Sequence, residues 1–199
     1  MATNYTDVDR LILERWQDVL GLRAAFDDLQ DRIRDTIADV GGRLARWGKE
    51  FGYEIETVAK ESRIHAWKAS WANRRGEPAL YFTLEGFAPV GYRKVDADSP
   101  SIWLITRDLD TIKMKEAERA EFVRQLKAAL GDRAREWEND DTDPTDEPLG
   151  KYFSEVTLQD RVSMVAEPDK LYDFASRAFQ SAFTLSDAID QTLAKFRSG

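Results

Sequence analysis

The sequence predicts an α+β protein in which a long N-terminal helix precedes a short antiparallel sheet and several C-terminal helices. The spacing of apolar residues changes twice: it is three to four residues from 22 to 51, two residues from 53 to 106, and three to four again after 115. The first spacing is typical of a helix with one apolar face and the second of a strand. We therefore expect an N-terminal amphipathic helical region at residues 1–51 and an α+β domain at residues 52–199.

The N-terminal region carries a nearly continuous heptad-like pattern. Steps of three and four, with one additional step of four between Ile33 and Ile37, join Leu22, Phe26, Leu29, Ile33, Ile37, Val40, Leu44, Trp47 and Phe51. This pattern is typical of a coiled-coil-like helix or a helical hairpin. A continuous helix over these residues would be about 45 Å long.

A second helical segment, residues 8–20, precedes the long helix, and glycines predict where the chain is interrupted. Gly21 is expected to separate the two segments, and Gly41 with Gly42 marks a second weak point. A glycine inside a helix costs about 1 kcal/mol relative to alanine.

The apolar edge of the long helix has two interpretations, which the sequence leaves open. It packs on its own domain, or it forms a seam with another protein or with a second copy of this chain. In the second case the candidate partner-binding residues are Leu22, Phe26, Leu29, Ile33, Ile37, Val40 and Leu44.

After Gly52 the chain reads as an antiparallel meander of four or five strands. Alternating apolar residues place strands at residues 53–57, 64–71, 79–84 and 101–106, and the sequence Asn73-Arg74-Arg75-Gly76 is typical of a hairpin turn. Helical spacing returns at residues 115–130, ending at Gly131, and again at 169–182 and 186–196. Residues 154–166 fit either a helix or a strand. We expect the C-terminal helices to pack on the sheet.

Composition excludes several kinds of active site. The chain has no cysteine, so disulfides and thiolate metal sites are impossible, and His65 is its one histidine. Phosphate-binding glycine loops and the serine-hydrolase elbow are absent from the sequence. We therefore assign no catalytic residue and expect no cofactor and no bound metal. His65, in a strand-like segment, is interpreted as a structural side chain.

The formal charge of −8 argues against duplex nucleic acid as a partner, because that affinity comes mainly from basic side chains. Seven acids and no base lie between residues 136 and 147. We interpret residues 136–148 as a solvated acidic loop, with presentation of charge to a basic partner as the alternative. The N-terminal residues resemble no secretory signal and no apolar run is as long as a membrane span, so we expect a cytoplasmic protein.

The sheet region offers a second candidate surface, for single-stranded nucleic acid. Aromatic and basic residues alternate there, and Trp67, Trp71, Arg74 and Arg75 are the candidate contacts, since aromatic rings stack on bases and arginines neutralise phosphates. Residues 53–107 hold eight bases and seven acids, a balance that favours sheet-core aromatics with a mixed surface.

The order of these segments resembles the C-terminal parts of some bacterial proteins of the PD-(D/E)XK nuclease superfamily. The resemblance covers roughly residues 22–196 and lies in the coiled-coil-like helix, the segments HAWKASW and PALYFTLEGF, and the tail segments KYFSEV and KLYDFASRAFQSAF. That family holds its metal with an acid two residues before a catalytic lysine, and no lysine here has an acid at that position. The resemblance implies an accessory region without the nuclease core, in a defence or mobile-element context.

The sequence thus predicts a non-enzymatic protein that works by protein association, as an inhibitor, immunity or defence-related component of bacterial or phage origin. The partner is another protein or a second copy, and no membrane contact is expected. The alternative is a nuclease-related accessory module that contacts nucleic acid through the aromatic and basic face of the sheet.

Overall fold

A computed structural model describes residues 6–88, 99–137 and 144–197 and has the predicted α+β architecture. The five strands are β1 Tyr53–Val58, β2 Arg63–Lys68, β3 Tyr81–Glu85, β4 Ser101–Ile105 and β5 Leu149–Tyr152. The six α-helices of the described residues are α1 Asp7–Glu14, α2 Trp16–Glu50, α3 Glu116–Leu130, α4 Leu158–Ala166, α5 Pro168–Phe183 and α6 Ser186–Arg197. The long N-terminal helix, the antiparallel sheet and the C-terminal helices are therefore confirmed.

The sheet is a meander in which every strand pairs antiparallel with the next strand along the chain, in the order β1-β2-β3-β4-β5. The register sets Phe82 opposite Ala66 on one side and opposite Leu104 on the other, so apolar side chains form a continuous face. All three are fully buried. The segment that fitted either helix or strand is helical, because α4 occupies it from Leu158 to Ala166, whereas β5, the fifth strand, ends before it at Tyr152.

The position of the interruption near the N-terminus differs from the prediction. The helix breaks at Arg15, where φ is −109° and ψ is 26°, and α2 then continues through Gly21 and through Gly41 and Gly42 without interruption. Packing of the buried half of α2 outweighs the cost of Gly41 and Gly42. Gly21 lies in the exposed half, where helix propensity is a weak preference and one glycine does not end the helix.

Glycines let the second half of α2 approach β1 closely. A Cβ atom at Gly41 would collide with the side chain of Thr57, and one at Gly48 would lie 2.6 Å from Cδ1 of Ile55. Substitution at either position would push helix and strand apart. The same half of α2 buries Ile37 under the domain, where its exposed fraction is 0%.

Aromatic stacking and polar contacts fix α5 and α6 against the sheet. The ring of Tyr53 in β1 stacks on Phe183 in α5, with ring centroids 3.5 Å apart. The Tyr53 hydroxyl hydrogen-bonds to the hydroxyl of Ser186, the first residue of α6, and burial raises the pKa of Tyr53 to about 12. Asp190, also in α6, pairs with Lys68 of β2 at 2.5 Å. The C-terminal helices are thus joined to the first two strands.

Candidate functional site

The first 26 residues of the helical region, Asp7–Arg32, contribute nothing to the core. None of these residues is buried, whereas Ile33 retains only 6% of its exposure. We call this segment the overhang. Its helix is stabilised locally: Thr6 caps α1 by accepting from the backbone N–H of Asp9, and the Asp9 carboxylate accepts from the Thr6 N–H at 2.8 Å. The Thr6 hydroxyl also donates to the Asp9 carboxylate at 2.6 Å, and this bond, followed by the one from the Thr6 N–H, lowers the pKa of Asp9.

An apolar stripe runs along the overhang in line with the buried face of the same helix. It consists of Val19, Leu22, Phe26 and Leu29, which alternate steps of three and four and so lie on one side of α2. Leu22 is 73% exposed, Phe26 53% and Leu29 46%. The same line continues into Ile33, where the helix enters the domain. The stripe is therefore an extension of the core-facing side beyond the part of the domain that covers it.

The predicted partner-binding residues divide into two groups at this point. Leu22, Phe26 and Leu29 are exposed, as contact residues must be. The remaining four are a correction to the prediction, because β1 and the C-terminal helices already cover them and no partner reaches them; these are Ile33, Ile37, Val40 and Leu44. Packing on its own domain is thus confirmed for the second half of α2, and a seam with a partner stays a prediction for the first half.

The chain matches no family model, no curated protein and no solved structure. Its function is therefore inferred from its own residues. Within the described ranges, no three histidine, aspartate or glutamate side chains lie together as metal ligands. None of the described helices combines the length and apolar character of a membrane span.

The two tryptophans of the predicted nucleic-acid surface lie in the core. Trp71 is fully buried, and its indole Nε1 donates to Asp190 Oδ1 at 2.5 Å. Trp67 is 9% exposed. Neither ring has a free face on which a base could stack, so the aromatic half of that prediction is corrected. Composition alone does not distinguish a stacking aromatic from a core aromatic.

The two arginines of the same prediction are exposed and line a cleft. They lie in the turn after Trp71, which Asn73 holds by accepting from the N–H groups of Arg75 at 2.8 Å and Glu77 at 3.1 Å. The cleft has a volume of about 1050 Å³, and we call it the basic cleft. Its charged lining residues are Arg74, Arg75, Lys113 and Arg197, together with Glu77 and Glu118. The sequence did not indicate Lys113 and Arg197, because the fold brings them to the turn from distant positions.

The predicted acidic loop is described only at its two ends, since residues 138–143 lie outside the described ranges. At the end near the sheet, Asp146 pairs with Arg119 at 3.1 Å and Glu147 lies 3.8 Å from Arg107. At the other end, Trp137 is buried. Two acids of the loop are thus paired with bases of their own domain.

The single histidine occupies a packing position. The imidazole of His65 lies 4.8 Å from the ring of Tyr81, measured between centroids. Burial, and then the charge of Arg63, hold the pKa of His65 below its ordinary value. The ring is therefore neutral near pH 7 and contributes contact rather than charge.

A second cavity, missed by the sequence reasoning, lies between β5, α4 and α5. Its volume is about 660 Å³, and Phe153, Met164 and Phe174 form apolar parts of its wall. Three bases and three acids also line it, so the cavity selects no particular ligand charge: Lys151, Lys170, Arg177, Glu155, Asp160 and Asp173.

Proposed function

We propose that this chain is a non-enzymatic protein that works by association, using the overhang as its contact surface. The observation that carries this proposal is the exposure of Leu22, Phe26 and Leu29 at regular helical spacing on a segment that its own domain does not cover. Isolated exposed leucines are common on soluble proteins, but a continuous apolar line along a helix is typical of helix-mediated recognition. Burial of that line by a partner removes it from water.

For a partner that is a different protein, charge favours a regulatory role toward one with a basic rim around its contact surface. The overhang contains seven acids and four bases, and the whole chain carries a formal charge of −8. Opposite potentials accelerate encounter and select the partner. An inhibitor, an immunity protein or another component of a defence system fits this description.

Capture from the native host tests the proposal. The tagged wild-type chain is compared with a Leu22→Glu, Phe26→Glu variant, which places charge on the stripe, and with Ala24→Glu, which adds charge on the opposite side of the helix. We expect one partner, a different protein or an untagged copy of this chain, to be retained by the wild type and by Ala24→Glu and lost from the double variant. Equal retention by all three chains contradicts the proposal.

The basic cleft supports a second candidate function, contact with the phosphates of single-stranded nucleic acid by a nuclease-related accessory module. Four bases and two acids line it, an excess of positive charge on an otherwise acidic chain. The buried tryptophans take no part in this version, so phosphate contact replaces base stacking.

Retention on a single-stranded DNA column tests this second candidate. We expect salt-sensitive retention that an Arg74→Glu, Arg75→Glu variant loses, because each phosphate contact adds to the salt dependence of binding. Arg135→Glu, which changes an exposed arginine outside the cleft, is the control. Passage of the wild type through the column at low salt contradicts this candidate.

A further inference from the structure

We infer that the partner of the apolar stripe is a second copy of this chain, bound as an antiparallel helix pair over residues 16–32. This inference rests on the proposed function, since it names the molecule that covers the stripe. The pairing segment is the part of α2 that belongs to the overhang, and it is about 25 Å long. Three features of the segment favour this occupant: its register, its ends and its charges.

The register follows from the spacing of the stripe. In an antiparallel pair, a residue at the first apolar position of a heptad lies beside one at the second position of the facing helix. Val19 then lies beside Leu29 of the second copy, and Leu22 beside Phe26 of the second copy. Each copy contributes the same four residues, and the pair has a two-fold axis between Leu22 and Phe26.

The two ends of the pairing segment fit this register. Arg15 of one copy comes beside Ile33 of the other, the residue at which the stripe becomes buried. The helix breaks at that same Arg15, so α1 can turn away where the domain of the other copy begins. The pairing segment therefore matches in length the part of α2 that its own domain leaves uncovered.

A parallel pair fits these ends poorly. In that orientation α2 of the second copy would continue unbroken beyond residue 32 along the line of Ile37 and Val40. The domain already occupies that line, because both side chains are fully buried beneath its own elements. The two domains would collide at the same point.

Charged residues beside the stripe are complementary in the antiparallel register. Asp18 of each copy comes beside Arg32 of the other, at the flanking positions that face each other in such pairs, which gives two opposite-charge contacts. Both side chains are available: Asp18 is exposed and lies 3.8 Å from Arg15, and Arg32 is exposed with its Nε bonded to the Asp28 carbonyl at 3.3 Å. One contact opposes this register, because Arg23 faces Arg23 of the second copy across the axis; the two Asp18–Arg32 contacts outnumber it.

A charge swap monitored by sedimentation equilibrium tests the proposal. We expect the wild type to be a dimer, and Asp18→Arg or Arg32→Asp alone to weaken dimerisation about ten-fold, since each creates two like-charge contacts. The double variant Asp18→Arg, Arg32→Asp restores wild-type affinity to within about three-fold, because the contacts are reversed rather than lost. Asp31→Arg, which changes the charge by the same amount on the far side of the helix, leaves the dimer unchanged.

Two results overturn the proposal. Rescue of Asp18→Arg by Arg23→Asp instead of Arg32→Asp indicates a parallel pair, in which Asp18 and Arg23 would face each other. A wild-type chain that stays monomeric at about 100 μM, far above the affinity typical of stable complexes, excludes the second copy as partner. The capture experiment then separates two cases for a monomeric wild type. If the Leu22→Glu, Phe26→Glu variant loses a different protein that the wild type retains, the dimer is excluded and the proposed function stands. If that variant loses no protein, the proposed function is contradicted as well.

Discussion

Two adjacent glycines in α2 give opposite expected effects on stability when each is replaced by alanine. Both lie inside the helix, so alanine gains about 0.5–1 kcal/mol at either position from helix propensity. At Gly42 an added Cβ meets nothing within 4 Å, and the gain is kept. At Gly41 the added Cβ would collide with the Thr57 side chain, whose own Cβ would be 2.8 Å away. Only Gly41→Ala forces α2 and β1 apart.

The sizes of the two effects follow from general values. Overpacking of a close-packed contact costs about 1–3 kcal/mol, which exceeds the propensity gain. We therefore expect Gly41→Ala to lower the free energy of unfolding by about 1–2 kcal/mol and Gly42→Ala to raise it by about 0.5–1 kcal/mol. For a chain of this length, the melting temperature changes by about 2–4 °C for each kcal/mol.

Urea unfolding at one fixed protein concentration, monitored by circular dichroism at 222 nm, measures both variants. The unfolding slope should stay the same, because neither substitution changes the surface exposed on unfolding. If Gly41→Ala stabilises the protein as much as Gly42→Ala does, then α2 does not approach β1 as described, and the account of the buried half of the helix is wrong.

Three further predictions concern the stripe, the α6 contact and the histidine. Ile37→Ala, at a fully buried position, should lower the free energy of unfolding by about 2–4 kcal/mol. Leu22→Ala, at a 73% exposed position, should change it by less than about 0.5 kcal/mol in dilute solution. Equal losses in thermal unfolding would contradict the claim that the overhang lies outside the core. Asp190→Ala should lower the free energy of unfolding by about 1–3 kcal/mol and alter the near-ultraviolet circular dichroism of Trp71, because the buried indole N–H loses its acceptor. Asp190→Asn, whose amide oxygen can still accept from the indole, should retain most of the wild-type stability. Because burial lowers the pKa of His65, the unfolded chain takes up a proton more readily than the folded one, and stability should fall as the pH drops below about 6.5. His65→Gln should make the urea midpoint depend less on pH in that range. An unchanged pH dependence would show that the ring is solvated in the folded state.

Most of the secondary structure follows from local pattern. The heptad-like spacing predicted α2, the alternation after Gly52 predicted the strands, and the helical spacing at residues 115–130 predicted α3, which buries Phe122, Leu126 and Leu130. These predictions succeed because periodicity reflects which side of an element is covered. Local pattern also predicted the turn after Trp71, which Asn73 stabilises through its side chain.

The sequence could not show which half of the long helix is covered. Apolar residues recur every three to four positions in the overhang as they do in the buried half, and this periodicity is the same whether or not the rest of the fold covers the face. Coverage depends on where β1 and α5 lie, which is a property of the whole fold. One local signal does mark the boundary: the additional step of four falls between Ile33 and Ile37, where the overhang enters the domain.

The candidate nucleic-acid surface could not be completed from sequence for the same reason. Trp71 is buried because its indole has an acceptor in Asp190, which lies 119 residues further along the chain. The basic cleft exists because the fold brings Lys113 and Arg197 to the turn that carries Arg74. Neither contact is visible in local composition.

The strictly sequential order of the strands has a consequence for how the chain folds. The first three pairings close shorter connections than the last one, so these hairpins can form in turn with little loss of loop entropy, a topology that favours rapid folding. The last pairing, between β4 and β5, closes a much longer connection that contains α3, so it should form later. The overhang lies outside all of these pairings. Substitutions there should leave the folding and unfolding rates of the isolated chain unchanged, so the sequence of the overhang can vary without changing the kinetics of the domain.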